Sequence, residues 1–205
     1  MKTILKISLL VFVVNLIFCF AGAENAIGQK YIRTIPTERP DWVDNPPHSN
    51  EELVFVGVSK RFSTQTDARN QAQEDGRKQL CDYYGTSMVN EVERISGTFG
   101  LSHETFSPQI AGLEIEKRIA QNTVQALKAK SFYTEVYEEN AGEAYIVYVL
   151  MVIDKGFVTK IIDNYIKEIA DDLRRKAAAE KDAEMRKQIE EASKYLRNDF
   201  NSNFD

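Results

Sequence analysis

Histidine, cysteine and tryptophan are all scarce in this chain of 205 residues, which has two histidines, two cysteines and one tryptophan. His48 and His103 lie far apart, and neither has a second histidine or a cysteine at ligand spacing, so no metal site is expected. Of the cysteines, Cys19 falls in an N-terminal leader, which leaves Cys81 as the sole thiol of the folded body and excludes an internal disulfide. Cys81 stands among Leu80, Tyr83 and Tyr84 in a helical pattern and reads as small core filler, with pairing between chains as the alternative. Phosphate-cradling glycine runs are missing: Gly57 is isolated, and Gly97 with Gly100 forms no such loop. No serine sits in a Gly-x-Ser-x-Gly turn. Carboxylates such as Glu114 and Glu116 are interleaved with lysine and arginine, as on solvated helix faces, so no acid pair stands out. The chain therefore reads as noncatalytic, with no cofactor. Its 26 basic and 31 acidic residues, net −5, carry no nucleic-acid footprint.

What is present begins with an address. Lys2 and Lys6 precede an apolar run from Ile7 to Phe20, and Ala21-Gly22-Ala23 supplies the small residues that a signal peptidase requires. The run is shorter than the roughly 20 residues that span a bilayer. Residues 1–23 thus read as a secretory signal cut after Ala23, recognised through Ala21 and Ala23. Lipidation at Cys19 is the alternative, although Phe18 is bulky where a small residue is normal.

Residues 24–50 hold Pro36, Pro40, Pro46 and Pro47 and read as an extended proline-rich arm, with Trp42 either a packing anchor or an exposed contact. Leu53 to Ser59 reads as a strand buried on both faces, with Gly57 marking a bulge or a close backbone approach. Ser63, Thr64 and Thr66 are candidate N-caps for a helix whose stripe runs Ala68, Ala72, Gly76, Leu80 and then Tyr83 or Tyr84. From Gly85 to Phe106 helix and turn signals conflict. A second helix opens at Ser107-Pro108, with Ile110, Leu113, Ala120, Val124 and Leu127 on one stripe. Ser131–Glu138 and Ala144–Ile153 form a β-hairpin with a five-residue loop. Tyr145 heads one apolar face of its second strand and Tyr148 belongs to the other, so each face needs a cover. A helical stripe from Phe157 to Leu173 follows. Arg174 to Arg197 then reads as a long exposed helix, supported by Asp182–Arg186 and Glu190–Lys194 four apart, with a coiled-coil contact as the alternative. The organisation expected is a 1–23 leader, a 24–50 arm, a 51–173 α+β domain of helices on a small antiparallel sheet, and a 174–205 charged helical extension.

Several of these segments resemble one known family. Pro40-Asp41-Trp42-Val43, Asn45-Pro46-Pro47, the strand ending Gly57-Val58-Ser59, and Ala68-Arg69, Ala72, Asp75, Arg77 and Leu80 are similar to the LPP-twenty family of bacterial envelope lipoproteins. The hairpin strand Tyr145–Ile153 fits its second half. Gly76 stands where that family usually has alanine. The resemblance implies an exported α+β domain of the periplasm or outer membrane, with no catalytic set. The function expected is noncatalytic binding of envelope proteins, with peripheral or Cys19-lipid membrane association and a homo-oligomer as a further option. Trp42, Tyr145 and Tyr148 are the candidate contact residues. A periplasmic small-ligand carrier, its pocket lined by Tyr83, Tyr84, Tyr145 or Tyr148, is the alternative.

Overall fold

The β-branched and aromatic runs of the hairpin organise the molecule. In the computed structural model, which describes residues 30–198 except 124, 140 and 141, strands β3 (Lys128–Glu139) and β4 (Gly142–Asp154) pair antiparallel. The leader, with Cys19, Ala21 and Ala23, lies outside the described residues, as does Val124. The ladder continues to Glu139↔Gly142, beyond the apolar part of both strands, so the connection is tighter than the five residues expected.

Strand β2 (Glu52–Val58) adds to β4 and strand β1 (Lys30–Ile35) to β3, giving the antiparallel order β1-β3-β4-β2. An α+β fold of helices on a small antiparallel sheet results, as the sequence implies. Two details differ. Part of the proline-rich arm is itself a strand, β1. β2 is an edge strand with mostly half-buried side chains rather than one buried on both faces, because a strand paired on one side only keeps its outer flank open.

Val147, Val149, Met151 and Ile153 of β4 are each no more than 2% exposed and face the helix α1 (Gln65–Phe99). Thr64 caps this helix, its hydroxyl oxygen accepting from the Asp67 amide at 3.2 Å. Gly57 and Gly76 set the closeness of helix and sheet: a Cβ on Gly57 would lie 2.0 Å from the Ala72 carbonyl oxygen. The β2–β4 register is regular here, so Gly57 serves close approach and not a bulge. The ambiguous stretch after Gly85 continues α1 through Met88, Val92 and Ile95, all buried, to Gly100, whose φ of +69° ends it in the left-handed conformation.

Helix α2 (Pro108–Thr123) starts with proline in its first turn, as expected. It buries Ala111, Gly112, Ile115 and Ile119, while Ile110 and Leu113 are 64% and 65% exposed. This reverses the predicted stripe. At its crossing with α1, a Cβ on Gly112 would stand 3.1 Å from the Gly85 carbonyl oxygen, so close helix approach selects the small-residue face over the bulky one.

Helix α3 (Lys155–Ala179) begins at Asp154, whose carboxylate accepts from the Phe157 amide at 2.6 Å, and buries Ile162, Tyr165, Ile166, Ile169 and Leu173. The charged segment beyond is helical, as expected, but it bends. Glu180 Oε1 accepts from the Lys181 and Asp182 amides, and helix α4 (Ala183–Asn198) folds back along α3. Its thin stripe of Ile189, Ala192 and Leu196 is buried, Ser193 donates to the Ala170 carbonyl at 2.8 Å, and Tyr195 meets Arg94 and Phe99 of α1. Neither predicted i,i+4 pair forms: Asp182 caps the Met185 amide, Arg186 donates to the Glu180 carbonyl, and Lys194 makes no ion pair with a described residue.

Candidate functional site

The face of the sheet away from α1 has an unusual cover. Tyr133, Leu150 and Val152 are buried there, and no described helix lies over them; the strap that follows β1 crosses this face, with Arg39 over the Tyr133 and Tyr148 rings. A 3-10 turn at Asp41–Val43 sets the strap against β4, and Trp42 within it is half-buried. Trp42 is thus neither fully buried nor fully exposed in the strap.

Arg39 latches the strap. Its guanidinium lies 5.4 Å from the Tyr133 ring centre and 5.1 Å from that of Tyr148. Nη1 donates to Glu135 Oε1 at 2.6 Å, and Nε and Nη2 form a fork with Asp44 at 2.8 Å each. Glu135 is only 9% exposed, and its other oxygen accepts from the Tyr137 hydroxyl at 2.8 Å. The hydrogen bond from Arg39 also holds the Asp44 carboxyl below its ordinary range. Arg61 stacks on Tyr137 at 4.3 Å. The side chain of Tyr148 is therefore engaged inside the molecule.

Tyr145 belongs to the opposite face. Its hydroxyl donates to Glu143 at 2.7 Å, and its backbone bridges to Phe62. Tyr84 is buried in the α1 core with Tyr83 edge-on at 5.0 Å. The four tyrosines considered for a carrier pocket are thus divided between helix core and two sheet faces. Cys81 is half-buried against the core as filler, and burial pushes its thiol up from the ordinary range.

The open concavity lies elsewhere. A groove of about 500 Å³ separates the start of α2 from α3, with Phe106, Ile110, Tyr165 and Ile169 on its walls and Asp172 and Lys176 on its rim. Lys176 donates to the Thr105 carbonyl at 2.7 Å and pairs with Asp172 at 3.1 Å. Arg118 forks onto Glu168 at 2.9 and 2.6 Å and stacks 4.7 Å over Tyr165. The Tyr165 hydroxyl has no hydrogen-bond partner among the described residues. No residue proposed as a contact from the sequence lines this groove, because Ile110 and Leu113 look like core positions until the facing of α2 is known. His103 lines it, but no group of described His, Cys, Asp and Glu residues could hold a metal ion.

Burial pushes the Tyr84 and Tyr165 hydroxyls up to about 12. Unfolded tyrosine ionises near pH 10, so between about pH 10 and 12 the unfolded chain sheds protons that the folded one keeps. Stability is therefore full below about pH 10 and falls as the pH climbs through 12, by about 2 kcal/mol per group. Urea titrations at neutral and strongly alkaline pH check this, and Tyr165→Phe should flatten the decline.

Compared with family models, curated proteins and solved structures, the chain finds no match.

Proposed function

We propose that this chain is a noncatalytic cell-envelope protein of the LPP-twenty kind that binds other envelope proteins through the outer face of α2 and the groove beside it. The observation that carries this reading is the pair Ile110 and Leu113, two large aliphatic side chains about two-thirds exposed next to an apolar-walled groove. Apolar surface of this sort, rimmed by charge, is typical of contact sites. The surfaces first considered for contact are largely consumed within the molecule: one hairpin face under α1, the other under the strap, and the C-terminal helix against α3. The leader and the resemblance over Thr37 to Ile153 support an envelope location.

The test is a photo-crosslinking side chain at exposed Gln109, activated in cells. An adduct with an envelope protein is expected, and Ile110→Asp with Leu113→Asp should reduce it by about tenfold or more while the melting temperature holds. An adduct of two copies would instead make this face a self-association surface, and no adduct above background would end the proposal. A ligand carrier is the second reading. It now rests on Tyr165 and its unpartnered hydroxyl in the groove, and native mass spectrometry of protein taken directly from the envelope would show the ligand.

A further inference from the structure

The outer face of the sheet holds a site that the molecule fills with its own side chain. The guanidinium of Arg39 lies against the rings of both Tyr133 and Tyr148, at 5.4 and 5.1 Å, and its Nη1 donates to Glu135 Oε1 at 2.6 Å. Glu135 is 9% exposed and Tyr133 2%, and the second oxygen of Glu135 already accepts from the Tyr137 hydroxyl. What remains is one buried acceptor oxygen bordered by two aromatic rings. That cradle selects a planar cation, because a guanidinium stacks and donates at once, whereas an ammonium has no plane to stack. Every receiving group belongs to the paired strands β3 and β4.

The occupant is tethered far less firmly than the cradle. Between β1 and β2, none of residues 36–50 is buried. Their backbone hydrogen bonds are local, from Val43 to Pro40 and from Asp44 and Asn45 to Asp41, and none joins them to β3 or β4. Of their side chains, only Arg39 hydrogen-bonds to a described residue of those two strands. Even the fork on Asp44 stays within the strap, so it travels with Arg39 when the strap lifts. Segments with little buried surface and few hydrogen bonds to the rest of a fold open locally at low free-energy cost. A cradle on paired strands beneath a loosely tethered occupant is the arrangement of an internal ligand that an external one can replace.

We infer that Tyr133, Tyr148 and Glu135 form a receptor for an arginine in an extended segment of a partner protein, and that Arg39 fills it as an intramolecular mimic, so that the strap governs access. Arg39 itself defines the chemistry of the occupant: a guanidinium on an extended backbone, with Pro40 directly after it at φ −67° and ψ 142°. The tether holds Arg39 beside the cradle at an effective concentration on the order of millimolar, which a partner must overcome by affinity or by a second contact. The inference goes beyond the protein-binding reading at α2, because it uses another face and its test reads nothing from Ile110 or Leu113.

The experiment is fluorescence anisotropy of a labelled peptide of residues 37–45 with the full chain, in an arginine form and in a form with citrulline, the uncharged isostere, at position 39. The arginine peptide should bind Arg39→Ala about tenfold or more tightly than it binds the wild-type chain, because the mimic is gone. The citrulline peptide should lose that gain, and so should Glu135→Gln added to Arg39→Ala. Asp44→Asn loosens the latch without touching the cradle and should raise binding in the same direction by a smaller factor, which frees the test from how well Arg39→Ala folds. Equal binding of the two peptides overturns the inference, as does binding that is equal in, or absent from, all three chains. A dimer of wild-type chains that the peptide dissociates overturns it too, by placing the strap of a second copy in the cradle.

Discussion

Gly57→Val is expected to abolish the native fold, and Gly57→Ala to lower the unfolding free energy by about 3 kcal/mol or more. The reason lies in what a Cβ would meet: the Ala72 carbonyl oxygen at 2.0 Å and the Gly76 amide nitrogen at 2.7 Å, both backbone atoms of α1 that no rotamer change can move. Relief requires lifting the helix from the sheet, which opens the contact that buries Val149 and Met151. Denaturant titration measures the loss, and a cost below about 1 kcal/mol for Gly57→Ala would mean that helix and sheet are not in contact there. Gly97 supplies the internal comparison. A Cβ there meets nothing within 4 Å, and Gly97→Ala in the last turn of α1 should stabilise by about 0.5 kcal/mol.

Arg39→Ala should release the strap while the rest of the molecule stays folded. It leaves Glu135, 9% exposed, with the Tyr137 hydroxyl alone, and uncovers the Tyr133 and Tyr148 rings. Breaking a fully buried ion pair from one side costs about 3–5 kcal/mol. The Arg39 side chain is 38% exposed, so solvent screening reduces the expected cost to about 2 kcal/mol. The chain holds one tryptophan, Trp42, and it sits in the strap, so its emission reports the latch directly. A red shift and stronger acrylamide quenching are expected, together with new proteolytic cleavage within residues 36–50. Arg39→Lys keeps the charge but loses the planar stack and the fork, and should fall between the two. Unchanged emission in Arg39→Ala would show that the strap is held by something other than the latch.

The strands of the hairpin are legible in the sequence because β-branched and aromatic residues fill both of their faces. The rest is lost for identifiable reasons. Gly85 looks like a helix end, yet it belongs to the α1–α2 crossing, where a Cβ would strike the Glu116 side chain. The same crossing inverts the apparent stripe of α2, since close approach overrides hydrophobicity in choosing which face turns inward. The bend between α3 and α4 contains neither glycine nor proline. It is built from the side chains of Glu180, Asp182 and Arg186, which resemble solvated charges in a charged helix. The latch is hidden likewise, because an arginine among prolines reads as solvent-facing and its partners in the sheet are far along the chain, in β3 and β4. Exposed Ile110 and Leu113 emerge only once the α2 facing is fixed.

The strand order also dictates when each part can fold. The central pair, β3 and β4, comes late in the chain, and the flanking strands β1 and β2 come first. In a chain emerging from its N-terminus, Lys30–Ile35 has no partner until residues near Thr134–Glu138 are out, and Glu52–Val58 waits for Tyr148–Asp154. Roughly the first two-thirds of the polypeptide must therefore appear before the β1 edge can close, and roughly three-quarters before the β2 edge can, with the earlier strands held open in the meantime. An order of this kind makes the late hairpin the template of the sheet, and the two early strands are recruited to it only near the end of synthesis.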